Sequence, residues 1–186
     1  MTWTLSASGT KTPFLPTTCT FTNASAVVTA TNSFAAGDIV MFTTTGTLPT
    51  NFSPYVSYYV IATGLSGSQF EVSATLGGGA ITAGSAGSGT HTFTPEQALG
   101  TDATNGSFAF EVDATNLALG DLVNLRVYTK TLSGGAYGLA WEGTYQHVQA
   151  LPHKIAPPVA SDQGIMVTIR QLAGTARAFP WKLLRI

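Results

Sequence analysis

Three histidines, one cysteine and nine carboxylates are the side chains with which this sequence could do chemistry. A nucleophilic thiol needs a base in reach. Cys19 lies in Thr17-Thr18-Cys19-Thr20-Phe21, far in sequence from any histidine, and reads as a small buried filler. His91 stands in Gly89-Thr90-His91-Thr92-Phe93, at the expected start of a strand. His147 and His153 flank Gln149-Ala150-Leu151-Pro152, a spacing that does not match the usual zinc patterns. There is no run of alternating Asp and Asn for calcium and no Gly-x-Ser-x-Gly elbow. The glycine-rich stretch Gly77 to Gly89 ends without the Gly-Lys-Ser/Thr of a phosphate loop. Glu111 and Asp113 are two apart on a predicted strand and so share a face. That face is the solvent one, because Phe108, Phe110 and Val112 take the other. No catalytic residue, metal ligand or cofactor site is expected.

The aromatic residues suggest a second kind of chemistry, stacking on a sugar ring. Trp3, Trp141 and Trp181 are the only tryptophans. Trp181 follows Phe179-Pro180 in an alternating run, and Trp141 sits among Leu139, Glu142 and Tyr145, so core packing is the expected job of both. Tyr55, Tyr58 and Tyr59 form a cluster that fits either a surface patch or strand packing.

What positions these residues is a chain of 186 with a net charge of −1. Charged residues are 9% of it, against about 25% in a typical globular chain. Their place is taken by 20 Gly and 29 Thr. Eight dispersed cations supply no basic patch, so nucleic acid is not an expected partner. No apolar run reaches the roughly 18 residues that cross a bilayer, and the start lacks the pattern of a secretory signal, so no membrane partner is expected. A lone cysteine forbids an internal disulfide. A surface of Thr, Ser, Asn and Gly suits a protein largely covered by neighbours.

The charges fall unevenly. From Thr12 to Pro95 there is no Lys or Arg, and only Asp38 and Glu71 are acidic. From Glu96 to Ile186 seven cations balance seven anions. That step predicts a domain boundary. Both parts read as β, in short β-branched or aromatic runs bounded by turn residues. Val123 to Tyr128 and Ile165 to Arg170 alternate as half-buried antiparallel strands do. No apolar spacing supports a long helix, and Asn116–Leu119 is expected to form one helical turn at most. Gly77 to Gly89 reads as a loop or weak edge strands. A weak echo links Ala30-Thr31-Asn32 through Gly37-Asp38-Ile39-Val40 with Ala114-Thr115-Asn116 through Gly120-Asp121-Leu122-Val123. A shared turn type accounts for it without duplication.

Two sets of residues carry a resemblance. Met1-Thr2-Trp3-Thr4-Leu5-Ser6-Ala7-Ser8-Gly9-Thr10-Lys11 joins naturally to Glu96-Gln97-Ala98-Leu99 and runs on through Val127-Tyr128-Thr129-Lys130 to Phe179-Pro180-Trp181-Lys182-Leu183-Leu184. This resembles a family of short virion structural proteins of tailed bacteriophages, of the head decoration or cement kind. The middle, with Gly37-Asp38-Ile39-Val40, Tyr58-Tyr59-Val60-Ile61 and Gly87-Ser88-Gly89-Thr90-His91-Thr92, resembles a module of phage tail, fibre and other virion proteins.

The resemblance implies an all-β protein, a jelly-roll or Greek-key antiparallel sandwich with an inserted small β domain. The host domain would be residues 1–11 plus 96–186, and the insert residues 12–95, projecting outward. The implied function is capsid decoration: binding across subunits of the major capsid protein, as a homotrimer with copies of itself, on the phage head surface of a virion assembled in the bacterial cytoplasm. It brings no catalytic residues. Ala150–Val159, with Pro152, Pro157 and Pro158, is then expected to be an extended contact arm rather than regular strand. Arg177, Lys182 and Arg185 are placed to pair with capsid carboxylates. The alternative is a tail or fibre component, with Tyr55, Tyr58 and Tyr59 stacking on host-surface glycans.

Overall fold

The β-branched and aromatic runs do become strands. The computed structural model describes residues 2–186; Met1, which opens the resemblance, lies outside them. The strands are β1 (Thr4–Lys11), β2 (Thr17–Phe21), β3 (Val28–Thr29), β4 (Ile39–Thr44), β5 (Ser57–Ser66), β6 (Gln69–Ser73), β7 (His91–Asp102), β8 (Gly106–Asp113), β9 (Leu122–Thr129), β10 (Gly138–Gln146), β11 (His153–Ile155), β12 (Val159–Ser161), β13 (Ile165–Ala173) and β14 (Phe179–Arg185). The fold is all-β: the sheets are antiparallel, and no helix forms among the described residues. Asn116–Leu119 makes hydrogen-bonded turns instead, with Leu117 N–H donating to Ala114 O at 3.0 Å.

The chain divides into two compact units. Unit 1 is Met1–Pro13 with Ala98–Ile186, and unit 2 is Phe14–Gln97. Unit 2 starts and ends two residues later in the chain than the expected insert of residues 12–95.

In unit 2 the order β7-β2-β3-β6-β5-β4 closes on itself, because β4 also pairs with β7. The result is a six-stranded barrel, which leaves no sheet edge open. Its interior is aromatic. Phe21, Phe34, Phe42, Phe52, Phe70 and Phe93 are buried and meet mostly edge to face, as in Phe34–Phe70 at 4.9 Å. Gly77 to Gly89 forms no strand, but it is fastened down. Ala83 is buried and bridges Ser25: its N–H donates to Ser25 O and its carbonyl accepts Ala24 N–H, both at 2.8 Å.

In unit 1 one sheet runs β1-β14-β8-β11, with β12 also on β8. The other runs β10-β9-β13-β7. Phe108, Phe110, Val112, Phe179 and Leu183 from the first share one apolar core with Val123, Leu125, Val127, Ile165, Val167 and Ile169 from the second. The period-2 faces are as expected, but β9 and β13 are buried on both sides rather than one: Asn124, Tyr128, Met166, Thr168 and Arg170 are also covered. Asn124 and Arg170 find partners within the sheet. Asn124 Oδ1 accepts Arg170 Nε and Nη2 at 3.2 and 2.8 Å, and Asn124 Nδ2 donates to Thr144 Oγ1 at 2.7 Å.

Candidate functional site

The surface of unit 1 is shaped by two loops that join strands at one end. The first runs from Ala114 to Asp121, between β8 and β9. The second runs from His147 to Pro152, between β10 and β11. Backbone bonds tie them together: His147 N–H donates to Asp121 O at 3.0 Å, and Ala114 N–H donates to Pro152 O at 2.9 Å. Gly120 N–H donates to His147 Nδ1 at 2.9 Å, which places the ring proton on Nε2. His147 itself takes a left-handed φ of 58°, so the second loop bends tightly onto the first.

The Asp121 carboxylate sits beneath the junction, 1% exposed. It accepts Ala118 N–H and Thr175 N–H, both at 2.9 Å, and pairs with Arg177 Nε. Burial alone would raise its pKa. The two amides and the guanidinium outweigh that and hold it below the ordinary carboxylate range.

What these pinned loops present to solvent is aliphatic. Leu119 is 85% exposed, Val148 71% and Leu151 78%. Their only acidic residue is the buried, paired Asp121. Three large exposed apolar side chains on two loops tied by backbone bonds give this end of unit 1 an apolar, uncharged surface. Composition gave no sign of this. The signal in the sequence was apolar residues in turn segments, Leu119 before Gly120 and Val148 and Leu151 before Pro152, where polar residues are the norm.

The expected contact cations are not free. Arg177 pairs with Asp121, Lys182 Nζ lies 2.7 Å from Glu111, and Arg185 lies 3.6 Å from Asp102 and also reaches Thr104. Each is tied within unit 1, so an external carboxylate would have to displace an internal one. Strand pairing accounts for one of these: Lys182 and Glu111 are opposite residues of β14 and β8.

The expectation that Ala150–Val159 is not regular strand is corrected. Ala150–Val159 contains β11 whole and the first residue of β12, and both strands pair with β8. Between them Ala156 enters the core and donates its N–H to Phe110 O at 2.9 Å. Pro157 and Pro158 are exposed and Pro152 half-buried. Proline removes one donor at its own position, and the flanking residues keep theirs.

In unit 2 the tyrosine cluster splits. Tyr58 is 4% exposed, inside the barrel, and its hydroxyl accepts Ser53 N–H at 2.8 Å, so it cannot offer a stacking face. Tyr59 is half-buried. Tyr55 alone projects, 78% exposed, with φ of 61° and exposed Val56 beside it. Adjacent residues of a strand point to opposite faces, which separates Tyr58 from Tyr59.

Four ionisable groups, Glu111, Asp113, His153 and Lys182, line an open groove of about 380 Å³ on the β1-β14-β8-β11 sheet, beside Leu5 and Trp181. Glu111 is taken up by Lys182. Asp113 is lowered by the Thr115 hydroxyl and amide, and less by His153 across the strand pair. Among the described residues no three His, Cys, Asp or Glu side chains cluster as a metal would need, and no helix is long and apolar enough to cross a membrane. Trp141 and Tyr145 pack on the core of unit 1 and fold over Gly143, where an added Cβ would lie 2.6 Å from the Trp141 ring. No family model matches the chain, and no match is found among curated proteins or solved structures.

Proposed function

We propose that this chain is a structural protein of a tailed-phage virion, a capsid decoration or cement protein that binds across capsid subunits and stabilises the head. Its partners on this reading are the major capsid protein and copies of itself. Unit 1 is read as a jelly-roll-type sandwich, and unit 2 as the inserted module. The sequence resemblance supports the reading, and one structural observation carries it. Unit 1 closes four ion pairs internally, those of Arg126, Arg177, Lys182 and Arg185, and leaves Leu119, Val148 and Leu151 outside on loops held by backbone bonds.

That arrangement is suited to docking. A neighbour covering the three side chains desolvates no ion, and the gain is about 25 cal/mol per Å² of apolar surface. Little loop entropy is lost, because the backbone bonds between the loops already hold them. Stabilisation of the head then follows from mass action. A protein that binds the assembled lattice and not its opened states lowers the free energy of the lattice.

The test is occupancy on purified heads that lack the protein. Wild type is expected to bind saturably, in copy numbers on the scale of the capsid lattice. Leu119→Asp with Leu151→Asp is expected to weaken binding by at least about tenfold, the equivalent of ~1.4 kcal/mol. Unchanged occupancy in that variant sinks the docking face. A handful of copies per particle moves the protein to the tail, where the exposed Tyr55 is the residue to test for glycan contact.

A further inference from the structure

Two loops of unit 1 meet through a bond that only a neutral histidine can make. Gly120 N–H donates to His147 Nδ1 at 2.9 Å. A backbone amide can only donate, so Nδ1 presents its lone pair and the ring proton sits on Nε2. A second proton on the imidazole goes to Nδ1. It removes the acceptor and turns one N–H against another. Histidine is the side chain whose ordinary titration falls between pH 5 and 8.

The position of this bond gives it leverage. Gly120 follows Leu119 and His147 precedes Val148, so two of the exposed apolar residues each stand one residue from the junction. His147 is exposed, and protons reach it from solvent. The other ties between the loops do not titrate in this range. His147 N–H on Asp121 O and Ala114 N–H on Pro152 O are backbone bonds. The Asp121 carboxylate is held ionised by the amides of Ala118 and Thr175 and by Arg177 from the turn before β14. The strands entering and leaving the loops add Asp113 at the end of β8 and His153 and Lys154 at the start of β11. His153 lies across from Asp113, and Lys154 lies over the Tyr145 ring. β9 starts and β10 ends uncharged, at Leu122 and Gln146.

We propose that His147 is a pH switch for this apolar face. The neutral ring locks the 114–121 loop to the 147–152 loop, and the imidazolium loosens them. Leu119 and Val148 then keep a fixed arrangement only while the ring is neutral. The use of such a switch rests on the docking reading. Its existence does not, and it is tested apart from that reading, on the purified chain without heads.

NMR on the isotope-labelled chain reads the switch residue by residue. Between pH 8 and 5 the Gly120 amide proton is expected to move upfield in one step. Its protection from exchange, taken relative to an unstructured chain at each pH, should fall about three- to tenfold, the worth of one ordinary hydrogen bond. The Leu119 and Val148 methyl signals should move with the same midpoint, while those of Ile169 in the core stay in place. His147→Asn removes the switch without straining the loop. Its side-chain carbonyl accepts at every pH, and Asn tolerates the left-handed φ of 58°. In that variant the Gly120 and methyl steps should vanish, and in His153→Gln they should remain. A Gly120 amide that does not change between pH 8 and 5 overturns the proposal. So does a step that persists in His147→Asn or disappears in His153→Gln, and so does a Gly120 step that leaves both sets of methyls unmoved.

Discussion

Asp38 in unit 2 and Asp121 in unit 1 hold the same place in two matching turns. Asp38 Oδ2 accepts Ala35 N–H at 2.9 Å, and Asp121 Oδ2 accepts Ala118 N–H at 2.9 Å. Each aspartate returns its own N–H to the same residue's carbonyl, at 3.1 Å in both units. The glycine before it has φ of 95° at Gly37 and 92° at Gly120, a region that favours glycine. Both aspartates are 1% exposed. The echo between the two segments of sequence is this turn, made once before β4 and once before β9.

Removing either carboxylate leaves buried amides without an acceptor, which costs about 1–3 kcal/mol for each group left unmade. Asp121→Ala strands Ala118 N–H, Thr175 N–H and the Arg177 guanidinium together and is expected to be clearly destabilising. All three tryptophans lie in unit 1, so tryptophan emission during a melt follows the Asp121 variant there. Circular dichroism follows both units. An Asp121→Ala protein that melts with wild type shows that the turn is held by other means.

Acid should loosen unit 1. Asp102, Asp113 and Asp121 all have lowered carboxyl pKa values, and all three lie in unit 1. For Asp102, burial opposes the shift, and the Ser6 and Thr104 hydrogen bonds with Arg185 overcome it. A carboxyl depressed in the folded state adds stability that is complete above its unfolded value of about 3.9 and fades as pH falls through the lower folded value. Stability measured by denaturant is therefore expected to be flat in this respect above about pH 5 and to fall steeply below about pH 4. Asp113→Asn should flatten part of that fall, and an unchanged acid slope in that variant counts against its share.

Much of this was legible in the sequence, and the failures share a cause. Alternation in Ile165, Val167 and Ile169 marked the apolar face of β13 correctly, because a strand's period is fixed by its backbone. It was silent on whether the polar face would also be covered, and Arg170 and Thr168 are buried there. Tyr58 looked available because three tyrosines cluster in sequence, yet strand parity sends it inward with Val60. Pro157-Pro158 was read as breaking a strand, while its neighbours pair with β8 on either side. The exposed leucines escaped notice because composition counts apolar residues without saying which ones solvent sees.

Cys19 gives the sharpest check on the barrel of unit 2. It faces His91 across the β2–β7 pair, in a position where a thiol and an imidazole would be neighbours on one face. Proximity alone would suggest an activated thiol, but burial pushes the Cys19 pKa up to about 12. His91 Nε2 is engaged with Ala86 O at 3.1 Å, and its ring packs edge-on against Phe21. The thiolate is the reactive form, so the native protein should resist alkylation by iodoacetamide at pH 8 and react fully once unfolded. Gly87→Ala should change this. Its φ of 73° and the Cβ contact at 2.8 Å to the His91 ring both force the covering loop away. Faster labelling of Cys19 in that variant is the expected result, and rapid labelling of native wild type would mean that the barrel opens far more readily than its buried aromatic core implies.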